Sequence, residues 1–283
     1  MELRYLGTGA AEGIPAAFCN CPLCREAQKL GGKDIRTRSQ AMINGDILID
    51  FPPDSYLHKL RYGLDLSAFR YLLITHKHMD HFFPQEFGCR GGYFSHNMVH
   101  EDLEIFCAEE TREYFERACG SDMNEERRSH LLWHILRPYE MVTAGPYRIT
   151  PLPASHMHEG NEPLMFHIRD EEGKSVLYLH DSGYYSDEVW EYFRQTSKTE
   201  GPVSLVSIDA TDGKTETCRS GHMGFSEAFS AKERMESLGI VGPQTVCVFN
   251  HFSHNGQYLH DEMVRTAQPH HVVIAYDGMA LEL

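Results

Sequence analysis

Short apolar runs closed by turn residues alternate along this chain with segments of helical period. ELRYLGTG (2–9) alternates and then reaches glycines, which predicts a strand entering a tight loop. In AMINGDILID (41–50) two apolar runs flank Asn44-Gly45, a strong hairpin signal, so two paired strands are expected. PPDSYLHKLRYG (52–63) starts with prolines and carries a helical pattern, while RYLLIT (70–75) suits a buried strand. A helix is expected to open at Pro84. LEIFCA (103–108) reads as a strand and EETREYFERACG (109–120) as a helix stopped by Gly120. Further strands are expected at PYRITPLPASH (146–156), PLMFHIRD (163–170), SVLYLHD (175–181), VSLVSIDAT (203–211) and TVCVFNH (245–251), with HVVIAYDGMALEL (271–283) as one closing strand. Helices are expected at SDEVWEYFRQ (186–195), SEAFSAKERMESLG (226–239) and LHDEMVRTAQ (259–268). The stretch 121–140 is polar and irregular apart from LLWHIL.

Strands thus cluster in both halves with helices between them, and no repeat, low-complexity tract or linker interrupts them. This suggests an α/β fold of one domain, residues 1–283: two mixed sheets packed together with helices on the outer faces, an α/β/β/α sandwich. The 283 residues are ample for such a core, and 41% hydrophobic with 24% charged residues is an ordinary soluble balance. No run approaches the roughly 18 apolar residues of a membrane span. The start, MELRYLGTG, lacks a basic region followed by an apolar one, so a cytoplasmic protein without membrane contact is expected. The formal charge of −15, from 26 Lys and Arg against 41 acids, argues against a large nucleic-acid partner. A small phosphate ester stays open, because a metal ion can hold it locally.

The chemistry gathers at strand ends. THKHMDH (75–81) places His76, His78, Asp80 and His81 directly after an apolar strand. His156, Asp181 and His251 close three later strands, and a rigid sheet holds such positions well. Imidazole with carboxylate suits zinc, manganese or iron. One ion takes about three or four protein ligands with an open position, so seven suit two ions. Surface or capping histidines would account for one or two of these residues, not for four ligands within one heptapeptide. Of eight cysteines, Cys19, Cys21 and Cys24 cluster and read as a metal site. Cys89, Cys107, Cys119, Cys218 and Cys247 are scattered and read as buried thiols.

H-x-H-x-D-H after an apolar strand, followed in order by His, Asp and His at strand ends, resembles the metallo-β-lactamase superfamily over nearly the whole chain. The resemblance implies one metal at His76, His78 and His156, a second at Asp80, His81 and His251, and Asp181 bridging them. The start LGTGAAEGIPAAFCNCPLC (6–24) resembles PhnP-type phosphodiesterases, which cleave a phosphoribosyl cyclic phosphate. That likeness implies a structural zinc held by Cys19, Cys21, Cys24 and, three residues beyond His251, His254, in a loop at about 18–26. RSGHMGFSEA (219–228) matches a position that phosphodiesterases of the superfamily use beside the metals. By resemblance, Asp80 and His222 are catalytic, with His222 contacting the phosphate or protonating the leaving alkoxide. The implied reaction is hydrolysis of a small, cyclic or linear, phosphodiester by hydroxide formed on two divalent ions, Mn²⁺ or Zn²⁺. Members of this family often pair, so a homodimer is compatible with the resemblance.

His158 and His180 neighbour the site and could orient ligands without binding metal. Asp277, in YDGM, could orient a ligand histidine or serve a turn. His58, His96, His100, His130, His134, His167, His260, His270 and His271 read as surface or packing residues. The segment at about 119–145 departs from the PhnP-like pattern and is expected to be an insertion or cap over the site. Three rival readings share these residues: an acyl hydrolase (β-lactamase, lactonase or thioesterase) on the same scaffold, an RNA-processing nuclease, and a zinc-binding structural or sensor protein. The cysteine cluster and the His222 segment have no role in the first. The charge counts against the second, and an open set of seven ligands against the third.

Overall fold

The computed structural model describes residues 1–156, 163–215 and 221–283. The strands are β1 (Glu2–Gly7), β2 (Gln40–Ile43), β3 (Ile47–Ile49), β4 (Tyr71–Leu73), β5 (Leu103–Cys107), β6 (Leu131–Ile135), β7 (Val142–Ala144), β8 (Tyr147–Pro153), β9 (Leu164–Arg169), β10 (Ser175–Leu179), β11 (Leu205–Asp209), β12 (Val246–Asn250), β13 (Val272–Ile274) and β14 (Ala280–Glu282). The helices are α1 (Pro22–Leu30), α2 (Ser55–Tyr62), α3 (Glu109–Cys119), α4 (Glu125–Ser129), α5 (Asp187–Thr199), α6 (Phe225–Leu238) and α7 (His260–Ala267). Two seven-stranded sheets result, in the orders β14-β1-β2-β3-β4-β5-β6 and β13-β12-β11-β10-β9-β8-β7. Each joins an antiparallel half to a parallel half: β3 to β6 run parallel in the first, β10 to β13 in the second.

Strand periodicity explains the layers. In β10, Val176 and Tyr178 enter the core between the sheets, while Leu177 and Leu179 enter the core beneath the outer helices. In β12, Val248 points inward and Cys247 and Phe249 outward. Both faces are buried, so these strands read as continuous apolar runs. Val189, Trp190 and Phe193 of α5 and Ala228, Ala231 and Met235 of α6 complete the outer core on the second sheet. Phe115 and Cys119 of α3 do so on the first. The architecture is the expected α/β/β/α sandwich. No helix among the described residues is long and apolar enough to cross a membrane.

Three local expectations need correction. The closing segment is two strands in different sheets, β13 and β14. Ala275–Met279 turns between them with Gly278 at φ 91°, and the chain crosses from one sheet to the other there. The 119–145 segment contributes to both sheets rather than forming a cap. Residues 131–135 pair with β5 in parallel register, and 142–144 pair with β8. Leu131 is buried and Trp133 and Ile135 half-buried whereas Leu132 and His134 are exposed, a strand period concealed by the polar flanks of LLWHIL. The turn begun at Pro84 is a 3₁₀ helix, Pro84–Cys89.

Candidate metal centre

The loop after β4 folds its ligands back on themselves. The His78 carbonyl accepts from the amides of His81 and Phe82, at 2.9 and 2.8 Å. Three other strands end in left-handed residues that are not glycine: Asp50 (φ 65°) after β3, Asp181 (φ 53°) beyond β10 and His251 (φ 65°) after β12. Such conformations cost about 1–3 kcal/mol each and cluster at functional sites. Here they turn three polar side chains into one space at the ends of the two sheets.

Asp181 lies at the middle of that space. Its Oδ2 is 2.8 Å from His81 Nε2, 3.2 Å from His76 Nε2 and 3.7 Å from His156 Nε2. Its Oδ1 is 3.6 Å from His251 Nε2 and makes no hydrogen bond, although buried. Imidazole nitrogens also face one another: His76 Nε2 and His78 Nδ1 at 2.9 Å, His78 Nδ1 and His156 Nε2 at 3.1 Å, His81 Nε2 and His251 Nε2 at 3.2 Å. Where neither nitrogen carries a proton, such lone pairs repel unless a cation lies between them. Three overlapping groups of four ligand atoms emerge, each mutually within 4.8 Å: His76, His78, His156 with Asp181; Asp80, His81, His251 with Asp181; and Asp209, His222, His251 with Asp181. The seven residues singled out in the sequence are therefore brought together around Asp181. The donor set suits two hard-to-borderline divalent ions.

A second layer fixes the ring orientations. His81 Nδ1 donates to Asp50 Oδ2 at 2.7 Å, His156 Nδ1 to the Gly221 carbonyl at 3.1 Å. His76 Nδ1 meets Thr75 Oγ1 at 3.0 Å, and His251 Nδ1 meets Thr211 Oγ1 at 2.8 Å. Each contact leaves the opposite nitrogen for a metal. The fields agree. Burial lowers His76 to about 3 and also lowers His78 and His251. Burial would lower His81 too, but Asp80, Asp181 and Asp50 together raise it well above the imidazole range. Burial would raise Asp80 and Asp181, yet His81 and His251 hold both below the usual carboxylate range. Ionised carboxylates thus hold a proton on His81 that a divalent ion would replace.

His222, 28% exposed at its side chain, stands at the rim. Its Nδ1 is 3.2 Å from both Asp181 Oδ1 and Asp209 Oδ2, leaving Nε2 for the substrate side. Asp209, at the end of β11, is fully buried and accepts from the amides of Asp181, Thr211 and Met223 and from Thr211 Oγ1, at 3.0–3.1 Å. Those donors hold the Asp209 carboxylate in place beside the site. Gly213 (φ 52°) lets this loop touch the next: a Cβ there would lie 2.3 Å from the Gly256 carbonyl. Asp50 and Asp209 were missed in the sequence, although both end apolar strands, DILI-Asp50 and LVSI-Asp209, as the ligands do.

The cysteine loop packs beside His251. Cys19, Cys21, Cys24 and His254 have ligand atoms mutually within 4.8 Å, with His254 Nδ1 3.7 Å from Cys19 Sγ and 3.6 Å from Cys21 Sγ. Cys21 also caps α1, and the Cys24 amide it accepts from, aided by His254, lowers its thiol to about 6. The backbone of Phe252 bonds to Thr8 and Ala10, joining loop and metal centre.

Other expected residues fall outside the ligand groups. His180 is buried, with Nε2 2.6 Å from Ser207 Oγ, and orients no ligand. Asp277 does not reach a ligand histidine; it accepts from Thr8 Oγ1 and from the Thr37 amide and hydroxyl, pinning the N-terminal loops. His58 and His260 are buried packing residues, and His167 is buried away from the ligand groups. His158 and Cys218 lie outside the described residues.

This centre on two facing sheets defines a metal-binding class of protein. A beta-lactamase superfamily domain matches residues 46–251, and the chain belongs to that superfamily. An octanoyltransferase of Porphyromonas gingivalis is 38% identical over 99% of this chain; the chain spans about half of that relative, 51%. Zinc-bound PqqB from Methylobacterium extorquens shares the fold with a TM-score of 0.77 at 16% identity, covering 100% of both chains. A diphosphatase of the PhnP family gives 0.75 at 20% identity, covering 100% of this chain and 96% of the other. Human short-form tRNase Z gives 0.64 at 18%, covering 100% and 99%.

Proposed function

We propose that this protein is a dinuclear metal-dependent hydrolase whose substrate is a small phosphodiester. His76, His78 and His156 would hold one divalent ion, and Asp80, His81 and His251 another, with Asp181 between them. Bound there, the ions, zinc or manganese, would supply Lewis acidity and a nucleophilic water at neutral pH. Cys19, Cys21, Cys24 and His254 would hold a structural zinc, whose closed sites are tetrahedral Cys and His sets of this kind.

The observation that carries the substrate class is His222. Asp209 fixes its Nδ1 at 3.2 Å, so Nε2 can meet a phosphoryl oxygen or give its proton to a departing alkoxide. An alkoxide leaving a phosphodiester needs such a proton more than a thiolate leaving a thioester does. The likeness in fold to a PhnP-family diphosphatase supports the same reading. The charge of −15 favours a small molecule over a nucleic acid.

A second reading is hydrolysis of an acyl thioester, favoured by the relative named as an octanoyltransferase. That relative is about twice as long, so its activity need not reside in the part this chain matches. Parallel assays of an alkyl p-nitrophenyl phosphate and an octanoyl thioester, on zinc- and manganese-loaded protein, separate the two. Diester turnover at least a hundredfold above thioester turnover is expected; the reverse ratio would replace the first reading by the second.

A further inference from the structure

A cavity whose lining contains none of the candidate metal ligands lies on the outer face of the second sheet. It has a volume of about 360 Å³ and lies between α5 and strands β8 and β9. Arg148 and Thr150 of β8 and His167 and Arg169 of β9 share one face, since Arg148 pairs in register with Arg169 and Thr150 with His167. Two guanidinium groups directly opposite each other on a sheet repel. Glu200 takes one of them, 2.5 Å from Arg169 Nη1; Arg148 has no ion pair among the described residues.

His167 is 4% exposed, and its Nε2 has no hydrogen-bond partner. Its Nδ1 lies 2.8 Å from the Tyr192 hydroxyl. The Thr150 and Thr196 hydroxyls interact with the same phenol oxygen; with the phenol proton given to Nδ1, His167 carries its own on Nε2. Arg169 Nε is likewise buried without a partner. Two orphaned donors, a histidine and an arginine two residues apart, thus belong to one cavity. Leaving such groups unmatched is costly, and native structures usually show a reason. At the lip, Tyr139 holds φ 67°, a strained conformation for an aromatic residue, with its ring 6.0 Å from that of Tyr192. The acidic turn Asp170–Glu172 lies in a neighbouring hollow that shares Arg148 and Arg169.

We propose that this cavity binds a phosphate group, free or as a monoester, through Arg148, Arg169 and the Nε2–H of His167. The site is separate from the metal centre and does not depend on the function proposed for it. Inorganic phosphate would be titrated calorimetrically into the full chain carrying His78→Ala, which disables the metal centre, and into the same chain also carrying Arg148→Gln. One phosphate per chain is expected in the first and binding weaker by about tenfold to a hundredfold in the second, the loss of a charged hydrogen-bond partner. Arg148 is exposed, so its variant should melt like its parent, and Arg148→Gln alone should leave diester hydrolysis unchanged. Phenyl phosphate distinguishes the sources: tighter binding than phosphate, lost in Tyr139→Ala, marks a monoester site, and equal binding a site for the free ion. Absence of binding to the His78→Ala chain, or binding indifferent to Arg148→Gln, overturns the proposal.

Discussion

Replacing Asp50 by asparagine should weaken metal binding without touching a ligand. The Asp50 carboxylate is fully buried, with Oδ1 accepting from the Thr75 amide at 2.8 Å and Oδ2 from His81 Nδ1 at 2.7 Å. A carboxylate only accepts, so it keeps the proton on Nδ1 and a lone pair on Nε2, the atom facing Asp80, Asp181 and His251. Asparagine has nearly the same volume. If its oxygen keeps the Thr75 bond, its amide group meets the His81 N–H donor to donor. Relief requires the other tautomer, which puts a proton where a metal needs the lone pair. Losing such an outer-layer partner typically weakens metal affinity 10–100-fold, about 1.4–2.7 kcal/mol. Chelator competition on wild type and Asp50→Asn would measure it, with circular dichroism confirming the fold. Affinities equal within twofold would refute the claim that Asp50 sets the His81 tautomer.

Three further outcomes follow from the same structure. His222→Ala should retain both active-site metals yet lower diester kcat by about 10²–10⁴, with a larger loss for alkoxide than for p-nitrophenolate leaving groups; a uniform or negligible loss contradicts its role. Cys24→Ser should remove one zinc per chain by elemental analysis and lower Tm, and unchanged zinc content would rule out the Cys₃His site. Burial lowers His58 and His167 to about 4 each, whereas the unfolded chain binds those protons near pH 6.5. The unfolded state therefore holds more protons between these values, and stability falls as pH drops from about 6.5 towards 4, by roughly 1.4 kcal/mol per pH unit for each group. Urea midpoints on the Arg148→Gln protein, measured between pH 7 and 5, would show a steep loss; a flat profile would contradict the assignment.

Much of the fold was legible because its strands are short, apolar and closed by turn residues. The ligand set was legible because those strands end in histidine or aspartate. The same signal marks Asp50 and Asp209, but neither belongs to a compact motif, and only the structure shows that their lone pairs serve histidines and amides. The division of 271–283 was hidden because β13 and β14 are only three residues each, and the left-handed turn at Gly278 that separates them has no periodicity. Residues 131–135 were obscured as a strand by polar neighbours: at a sheet edge only Leu131 needs full burial, so the alternation is weak. The pairing of Arg148 with Arg169 depends on the register of β8 and β9, which no local pattern contains.

The central claim is that a metal centre organised around Asp181 cleaves phosphodiesters. The direct test is hydrolysis of bis(p-nitrophenyl) phosphate by zinc- or manganese-loaded protein beside Asp181→Ala, with metal content measured on both. Turnover in the wild type that disappears in the variant is the result expected. A wild-type protein that carries two active-site metals and releases no p-nitrophenolate, while hydrolysing an octanoyl thioester, would contradict it.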